Sequence, residues 1–300
     1  MSTPAILVIG TTGQLATALA EQAGGRNLVC LGRPEVDFAR PETLAAAMAR
    51  VQPRLVINAA AYTAVDKAET DAEAAQQANA TGPAELARLC ALADIPLIHV
   101  STDYVFDGSK GAPYLETDPA NPIGVYGASK RAGEVAVLAA CPKALVLRTS
   151  WVYGPYGKNF VLTMLNAAAR LPQLRVVADQ IGCPTSAPDL ATAILAVVDR
   201  VLAGWHTDYA GLYHAAGTGW TSWHGLAEFA VAEAARHGRP QPPIAALATA
   251  DWPTPVRRPA DSRLDCSRLQ HVFGVTLPHW QDAVRRTVAR VMEDARQQAC

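Results

Sequence analysis

Three hundred residues, half of them apolar, suffice to bury a substantial core in one large domain or two modest ones. A formal net charge of −1, with the charged residues dispersed along the chain, offers no electrostatic footprint for nucleic acid or for a membrane surface. No apolar run is long enough to span a bilayer, and the six cysteines (Cys30, Cys90, Cys141, Cys183, Cys266, Cys300) and seven histidines lack paired or metal-ligand spacing, so the expectation is reduced thiols, no metal and a small-molecule partner.

Met1-Ser2-Thr3-Pro4 carries no basic leader or cleavage site, which predicts a cytoplasmic protein. Ala5–Ile9 is a continuous apolar run and predicts a buried strand. Glycines at Gly10 and Gly13 punctuate the turn that follows, and Ala16 stands at the third position of that fingerprint. Leu28–Leu31 and Leu55–Asn58 predict the next strands, separated by a helix over Pro41–Val51 whose Leu44, Met48 and Val51 share a face. Pro96–Val100 and Ala144–Leu147 predict two further strands, each after an alanine-rich helical stretch. This alternation is that of βαβ units, so the fold class is α/β: a Rossmann-type doubly wound parallel sheet. Beyond Arg148 the alternation loosens into Pro, Gly and aromatic loops, with helices predicted over Pro188–Leu202, Ser222–Arg236 and Trp280–Gln297. Residues 1–150 therefore form the expected dinucleotide-binding domain, and 151–300 mainly a smaller mixed α/β substrate domain, with some segments returning to the first.

The strand-to-helix turn offers backbone N–H groups and a helix dipole to a pyrophosphate, which places Gly10 and Gly13 at a dinucleotide cofactor, with Ala16 still permitting close packing. The second strand ends on Gly32-Arg33 with no carboxylate for a ribose 2′-hydroxyl, which favours the 2′-phosphate of NADPH; use of NADH stays open, as does an ordinary surface role for Arg33. Asp37 and Phe38 follow as candidates for the adenine side. Ser101-Thr102-Asp103-Tyr104 falls at the carboxyl edge of the sheet, where open α/β folds bind ligands. In Tyr126-Gly127-Ala128-Ser129-Lys130, a Tyr and a Lys four residues apart share a helix face, so an ammonium lying near the phenol would favour its phenolate. A solvated helix face carries the same spacing, so the context decides.

These residues resemble the extended short-chain dehydrogenase/reductases. The resemblance spans nearly the whole chain and rests on Gly10–Leu15, Asn58–Glu69, Ser101–Gly108 and Val125–Lys130, and in the second half on Arg148–Tyr153, Asp179–Thr185, Gly211–His214 and Arg258–Ser262. It implies that Tyr126 is the proton donor, that Lys130 binds the nicotinamide ribose and lowers the phenol pKa, and that Thr102 takes the usual serine position. It further implies Thr12, Gly13, Gln14 and Leu15, then Asp37, Phe38, Ala60, Ala61 and Tyr62, along the cofactor, and Thr102, Asp103, Tyr104 and Trp151 at a nucleotide sugar, where the indole of Trp151 could cover the C–H face of the sugar ring. The branch it most resembles implies NADPH-dependent reduction of the 4-keto group of dTDP-4-dehydro-β-L-rhamnose.

Two departures from the family pattern, Ala16 for a glycine and Asp261 for an asparagine, remove no catalytic group. Where some relatives place metal-binding glutamates at a dimer interface this chain has Thr17 and Pro188, so no metal is carried over and a homodimer is left open. Two other classes stay in view. A non-catalytic NADP-binding subunit that regulates a methionine adenosyltransferase shares the resemblance, and so do nucleotide-sugar dehydratases and epimerases. Dehydratases carry an Asp-Glu pair after the threonine, whereas Asp103 is followed here by Tyr104.

Overall fold

The computed structural model describes residues 5–299; Met1–Pro4 and Cys300, for which a leaderless start and a thiol were expected, lie outside them. Six strands form one parallel sheet: β1 (Ala5–Ile9), β2 (Asn27–Leu31), β3 (Leu55–Asn58), β4 (Leu97–Thr102), β5 (Ala144–Thr149) and β6 (Gly211–His214), in the order β6-β5-β4-β3-β1-β2. Strands covered on both faces must be apolar throughout, and β1, β3 and β5 are buried along nearly their whole length. The strand order reverses between β1 and β3, the point beyond whose carboxyl edge sheets of this kind bind their ligands.

On one face lie α1 (Gln14–Glu21) and α6 (Ala187–Ala203), packing Leu15, Leu19, Leu190 and Ile194 onto Ile6, Val8 and Ile57. On the other lie α2 (Pro41–Val51), α3 (Gly82–Leu92) and α4 (Val125–Ala140), which bury Leu44, Leu86 and Val137 against Leu7, Val56 and Val146. Thus the second half of the chain returns to the sheet through α6, through β6, which pairs with β5, and through Leu269, Phe273 and Leu277 of the segment that follows. A separate core gathers α5 (Phe160–Ala168), α7 (Trp223–Ala235) and α8 (Trp280–Ala299) around Val161, Leu165, Leu226, Val231 and Val284.

Strand and helix limits agree with the sequence reading to within a residue or two, save that β4 and β5 run on through Thr102 and Thr149, so Thr102 stands on the strand itself. Cys30, Cys90, Cys141, Cys183 and Cys266 are unpaired, and burial raises every one of these thiols. Among the described residues no helix is long and apolar enough to cross a membrane.

Candidate active site

Between β1 and α1 the chain turns at Gly10, whose φ of 124° is one that a side chain would strain. The turn leads to Gly13 at the N-cap of α1, where no side chain caps the helix and no acidic residue occupies the first turn. Thr11, Thr12 and Gly13 are exposed, and a Cβ on Gly13 would meet nothing within 4 Å. The first N–H groups of the helix are thus free for an anion, with room for it to approach. Gln14 reaches over to the second half, donating to Val152 O at 3.4 Å and accepting from Asn159 Nδ2 at 3.1 Å. Leu15 turns its side chain into the core, so only its backbone faces the turn.

After β2, Arg33 is exposed and makes no ion pair among the described residues. Asp37 is committed to the backbone of Ala39 and to Arg40, while Phe38 is buried with its carbonyl held by Gln77. Ala60 N donates to Asn58 Oδ1 at 3.1 Å. Tyr62 is fixed by a residue no motif singled out: buried Asn79 accepts from Tyr62 N at 2.8 Å and donates to both Tyr62 O and the Ser129 hydroxyl at 3.0 Å. One amide thus ties the Ala60–Tyr62 loop to the helix that carries Tyr126 and Lys130.

Helix α4 is pressed close to β4. A Cβ on Gly127 would lie 2.1 Å from Tyr104 O, so glycine beside Tyr126 is what lets the two backbones touch. This approach brings Tyr126 and Lys130 against the end of β4, where Thr102 and Asp103 are buried and Tyr104 is half-buried, with the rings of Tyr104 and Tyr126 edge to face at 5.7 Å. Burial pushes the Tyr126 phenol up to about 12; the Thr102 hydroxyl opposes the rise and the Asp103 charge adds to it. Lys130 is brought down to about 8, chiefly by burial, with Glu134 one turn on holding it up, and its ammonium donates to Val100 O at 2.6 Å. The phenol in this geometry is therefore raised and not lowered, which differs from the sequence expectation, because desolvation is the largest influence on it.

Asp103 is buried and lifted to about 6 by desolvation, with hydrogen bonds from Ser262, Ser150 and Thr102 pulling the other way. Ser150 Oγ donates to Oδ2 at 3.0 Å and Thr102 Oγ1 to Oδ1 at 3.1 Å. Both serines stand in segments that carry the family resemblance, Arg148–Tyr153 and Arg258–Ser262, but a lone serine has no spacing from which its role could be read. His99, behind the site on β4, meets Asn58 Nδ2 at 3.0 Å and is kept neutral by burial and by Lys130.

Trp151 follows β5 with φ 47°, a left-handed conformation that costs a non-glycine residue of order 1–3 kcal/mol. Its ring lies parallel to that of Trp223, with centroids 3.5 Å apart and planes 5° apart, and Phe160 leans on Trp223 at 4.6 Å. A Cβ on Gly182 would stand 2.4 Å from Trp151 Cε2 and 2.7 and 2.8 Å from Nε1 and Cζ2. Such a point is above the ring plane, because a point outside the ring and in its plane would be nearer to both neighbours than to Cε2. Gly182 and Trp223 thus fill opposite faces of the indole, and the face expected to cover a sugar ring is already taken.

A surface cavity of about 260 Å³ lined by Arg54, Asp94, Lys143 and Trp205 lies at the amino edge of the sheet, remote from these groups. Among the described residues no set of three His, Cys, Asp or Glu side chains is placed to hold a metal ion.

Similarity to known proteins follows the same arrangement. A dTDP-4-dehydrorhamnose reductase of Sinorhizobium fredii is 44% identical over 284 residues, 94% of this chain and 96% of the relative. A protein of Streptomyces antibioticus described as a probable dTDP-4,6-dihydroxy-2-methyloxan-3-one 4-ketoreductase is 40% identical, with 95% of each chain covered. The crystal structure of a dTDP-4-dehydrorhamnose reductase from Bacillus anthracis in complex with NADP superposes with a TM-score of 0.88 at 30% identity, covering 96% of this chain and 100% of that one. The model of the RmlD substrate binding domain matches residues 4–293, and the chain belongs to that family.

Proposed function

We propose that this chain reduces the 4-keto group of dTDP-4-dehydro-β-L-rhamnose to give dTDP-β-L-rhamnose, with NADPH as the reductant. The observation that carries the reading is the Tyr126 phenol within reach of the Thr102 hydroxyl, with the Lys130 ammonium buried one helical turn on at Val100 O, on the same sheet edge as an uncapped helix N-terminus. The relatives named as reductases of this sugar nucleotide support the choice of substrate.

The open N-terminus of α1 fits a pyrophosphate, and exposed Arg33 fits a 2′-phosphate. When bound there, NADPH supplies the hydride. Lys130 holds the nicotinamide ribose in exchange for Val100 O, and its charge then acts on the phenol. Thr102 and Tyr126 hydrogen-bond the substrate carbonyl, which polarises it, and Tyr126 gives its proton to the oxygen as that oxygen becomes a hydroxyl. Asp103 accepts the hydrogen bond of the Thr102 hydroxyl while no substrate is bound, and the hydroxyl turns from that carboxyl to the carbonyl when the sugar arrives. Residues 1–150, completed by α6 and β6, serve the cofactor; the remainder of 151–300 serves the sugar nucleotide.

The test is NADPH oxidation by the purified protein with several dTDP-linked 4-keto sugars. Turnover of the rhamnose precursor above the others is expected. Preference for a different dTDP-keto-sugar, as the Streptomyces relative's description suggests, would move the substrate while keeping the chemistry. Tight NADPH binding with no turnover of any keto-sugar would replace the enzyme by a regulatory binding subunit.

A further inference from the structure

We infer that residues 250–258 form a strap that opens to admit the sugar nucleotide and closes to retain it, latched by the ion pair of Arg258 with Asp66 and by Val256 seated at Gly124. The inference rests on the function proposed above only for the identity of the ligand. The strap is anchored at both ends. Before it, Ala178 N donates to Leu247 O at 2.8 Å, and Thr249 donates from N at 2.9 Å and from Oγ1 at 2.6 Å to the Asp179 carboxylate. After it, Ile181 N donates to Ala260 O at 2.8 Å, and a Cβ on Gly108 would lie 2.6 Å from Ala260 N, so the chain there is pressed onto the first half. Between the anchors, among the described residues, the strap's backbone N–H groups bond no further away than Ala248 and Thr249, and Pro253 and Pro255 have no N–H to offer. A segment with so few backbone bonds to its surroundings opens at low cost.

Side chains hold the strap down. Val256 is buried, and a Cβ on Gly124 would stand 2.9 Å from its Cγ1, so glycine there leaves the notch that the valine fills. Arg258 Nη2 donates to both carboxylate oxygens of Asp66, at 3.1 and 3.3 Å, on the short helix Val65–Ala68. The two side chains are 29% and 44% exposed, so the pair is a weak latch that solvent and salt loosen. Both contacts fall beside the reacting groups. Gly124 is the N-cap of α4, two residues before Tyr126. The charge of Arg258 opposes the rise that burial gives the Tyr104 phenol, whose ring is edge to face with that of Tyr126. The strap therefore crosses from the second half of the chain to the first at the head of the helix that carries the phenol, which is where a gate over the sugar nucleotide has to close.

A reversible lock tests the gate. In the double variant Gly124→Cys/Val256→Cys the contact at the notch becomes a disulfide, closed with oxidised glutathione and opened with dithiothreitol. Hydrogen exchange of residues 250–258, stopped-flow binding of dTDP and turnover of the dTDP-keto-sugar with NADPH are measured in both forms. The oxidised form should exchange more slowly in the strap, take up dTDP at least about tenfold more slowly and lose turnover in step, and reduction should restore all three. An oxidised form that binds and turns over at the reduced rate would overturn the inference, because the ligand would then enter without the strap moving. In Asp66→Asn and Arg258→Gln, dTDP should dissociate about two- to fivefold faster, the range for a partly exposed ion pair, and the combined variant should be no faster than the quicker of the two. Additive effects would mean that each residue meets the ligand by itself and would overturn the latch; should the disulfide not form, these variants decide alone. A wild type that reduces no nucleotide keto-sugar would sink the function proposed above, and the strap would then stand or fall on dTDP binding and hydrogen exchange.

Discussion

Replacing Asp103 with asparagine should remove a pH-dependent burden on stability. The carboxyl is buried and its folded-state pKa stands at about 6 against an ordinary 3.8, so the folded protein holds that proton more tightly than the unfolded chain does. A raised carboxyl contributes its full stability below pH 3.8, and the contribution is lost as pH rises through about 6. The shift of 6 − 3.8, roughly 2 units at about 1.4 kcal/mol each, makes the total loss about 3 kcal/mol. Some 2 kcal/mol of that, on the order of 3 °C in melting temperature for a chain of this size, falls between about pH 4 and pH 7. Asparagine copies the protonated form, and the hydroxyls of Ser150, Ser262 and Thr102 can turn to suit it. Melting curves of wild type and Asp103→Asn across this range should therefore diverge, the variant gaining on wild type as pH rises. The wild-type profile of kcat/KM should also bend near pH 6, and the variant's should not. Parallel melting curves would show that Asp103 does not carry a raised pKa, and the account of its burial would be wrong.

Tyr126→Phe should bind NADPH nearly as wild type and lose about a hundredfold or more in kcat, the range for a missing general acid; near-normal turnover would exclude the phenol as proton donor. Lys130→Met should weaken NADPH and slow turnover together. Because Lys130 titrates at about 8, wild-type NADPH affinity should fall as pH rises through that value and the methionine variant should lack the step, as isothermal titration at several pH values would reveal. Arg33→Ala should cost NADPH roughly 1–3 kcal/mol of binding and leave NADH almost untouched; equal losses for both cofactors would mean the residue acts through the fold.

The fold was legible wherever burial writes a period into the chain. Strands β1 and β3 and helix α2 were placed at their observed limits because uninterrupted apolar runs and a shared face of Leu44, Met48 and Val51 admit few other readings. Strand β6 was not placed, although Gly211–His214 stood out as a family segment: four residues opening on glycine and ending on histidine carry no strand signal until β5 lies beside them. The site divides in the same way. Tyr126, Lys130 and Thr102 are visible through spacing and position, but Asn79, Ser150 and Ser262 act through partners 17 to well over 40 residues away in sequence. Trp223 reads as one more apolar residue at a helix start, and only its 5° alignment with Trp151 distinguishes it.

What holds the legible residues together is itself an illegible feature, the ion pair of Glu134 and Arg148, both almost completely buried. Desolvating two such charges costs several kcal/mol each, so the pair is a poor source of stability by itself. Burial alone would raise the Glu134 carboxyl, yet it is lowered, because Arg148 donates from Nε and Nη2 at 2.7 Å, Ser101 from Oγ at 2.7 Å and Arg131 from Nη1 at 2.9 Å. The geometry of these bonds matters more than their sum. Glu134 lies one turn after Lys130 on α4, Arg148 lies on β5, and Ser101 lies on β4 between Val100, whose carbonyl receives the Lys130 ammonium, and Thr102, whose hydroxyl acts on Tyr126. A slide of α4 by one residue would break the three bonds from Arg148 and Ser101 inside the core, the Arg131 bond moving with the helix, whereas apolar contacts would repack. The buried charges thus convert a helix that merely covers the sheet into one fixed in the register at which the phenol faces the threonine hydroxyl and the ammonium reaches Val100 O.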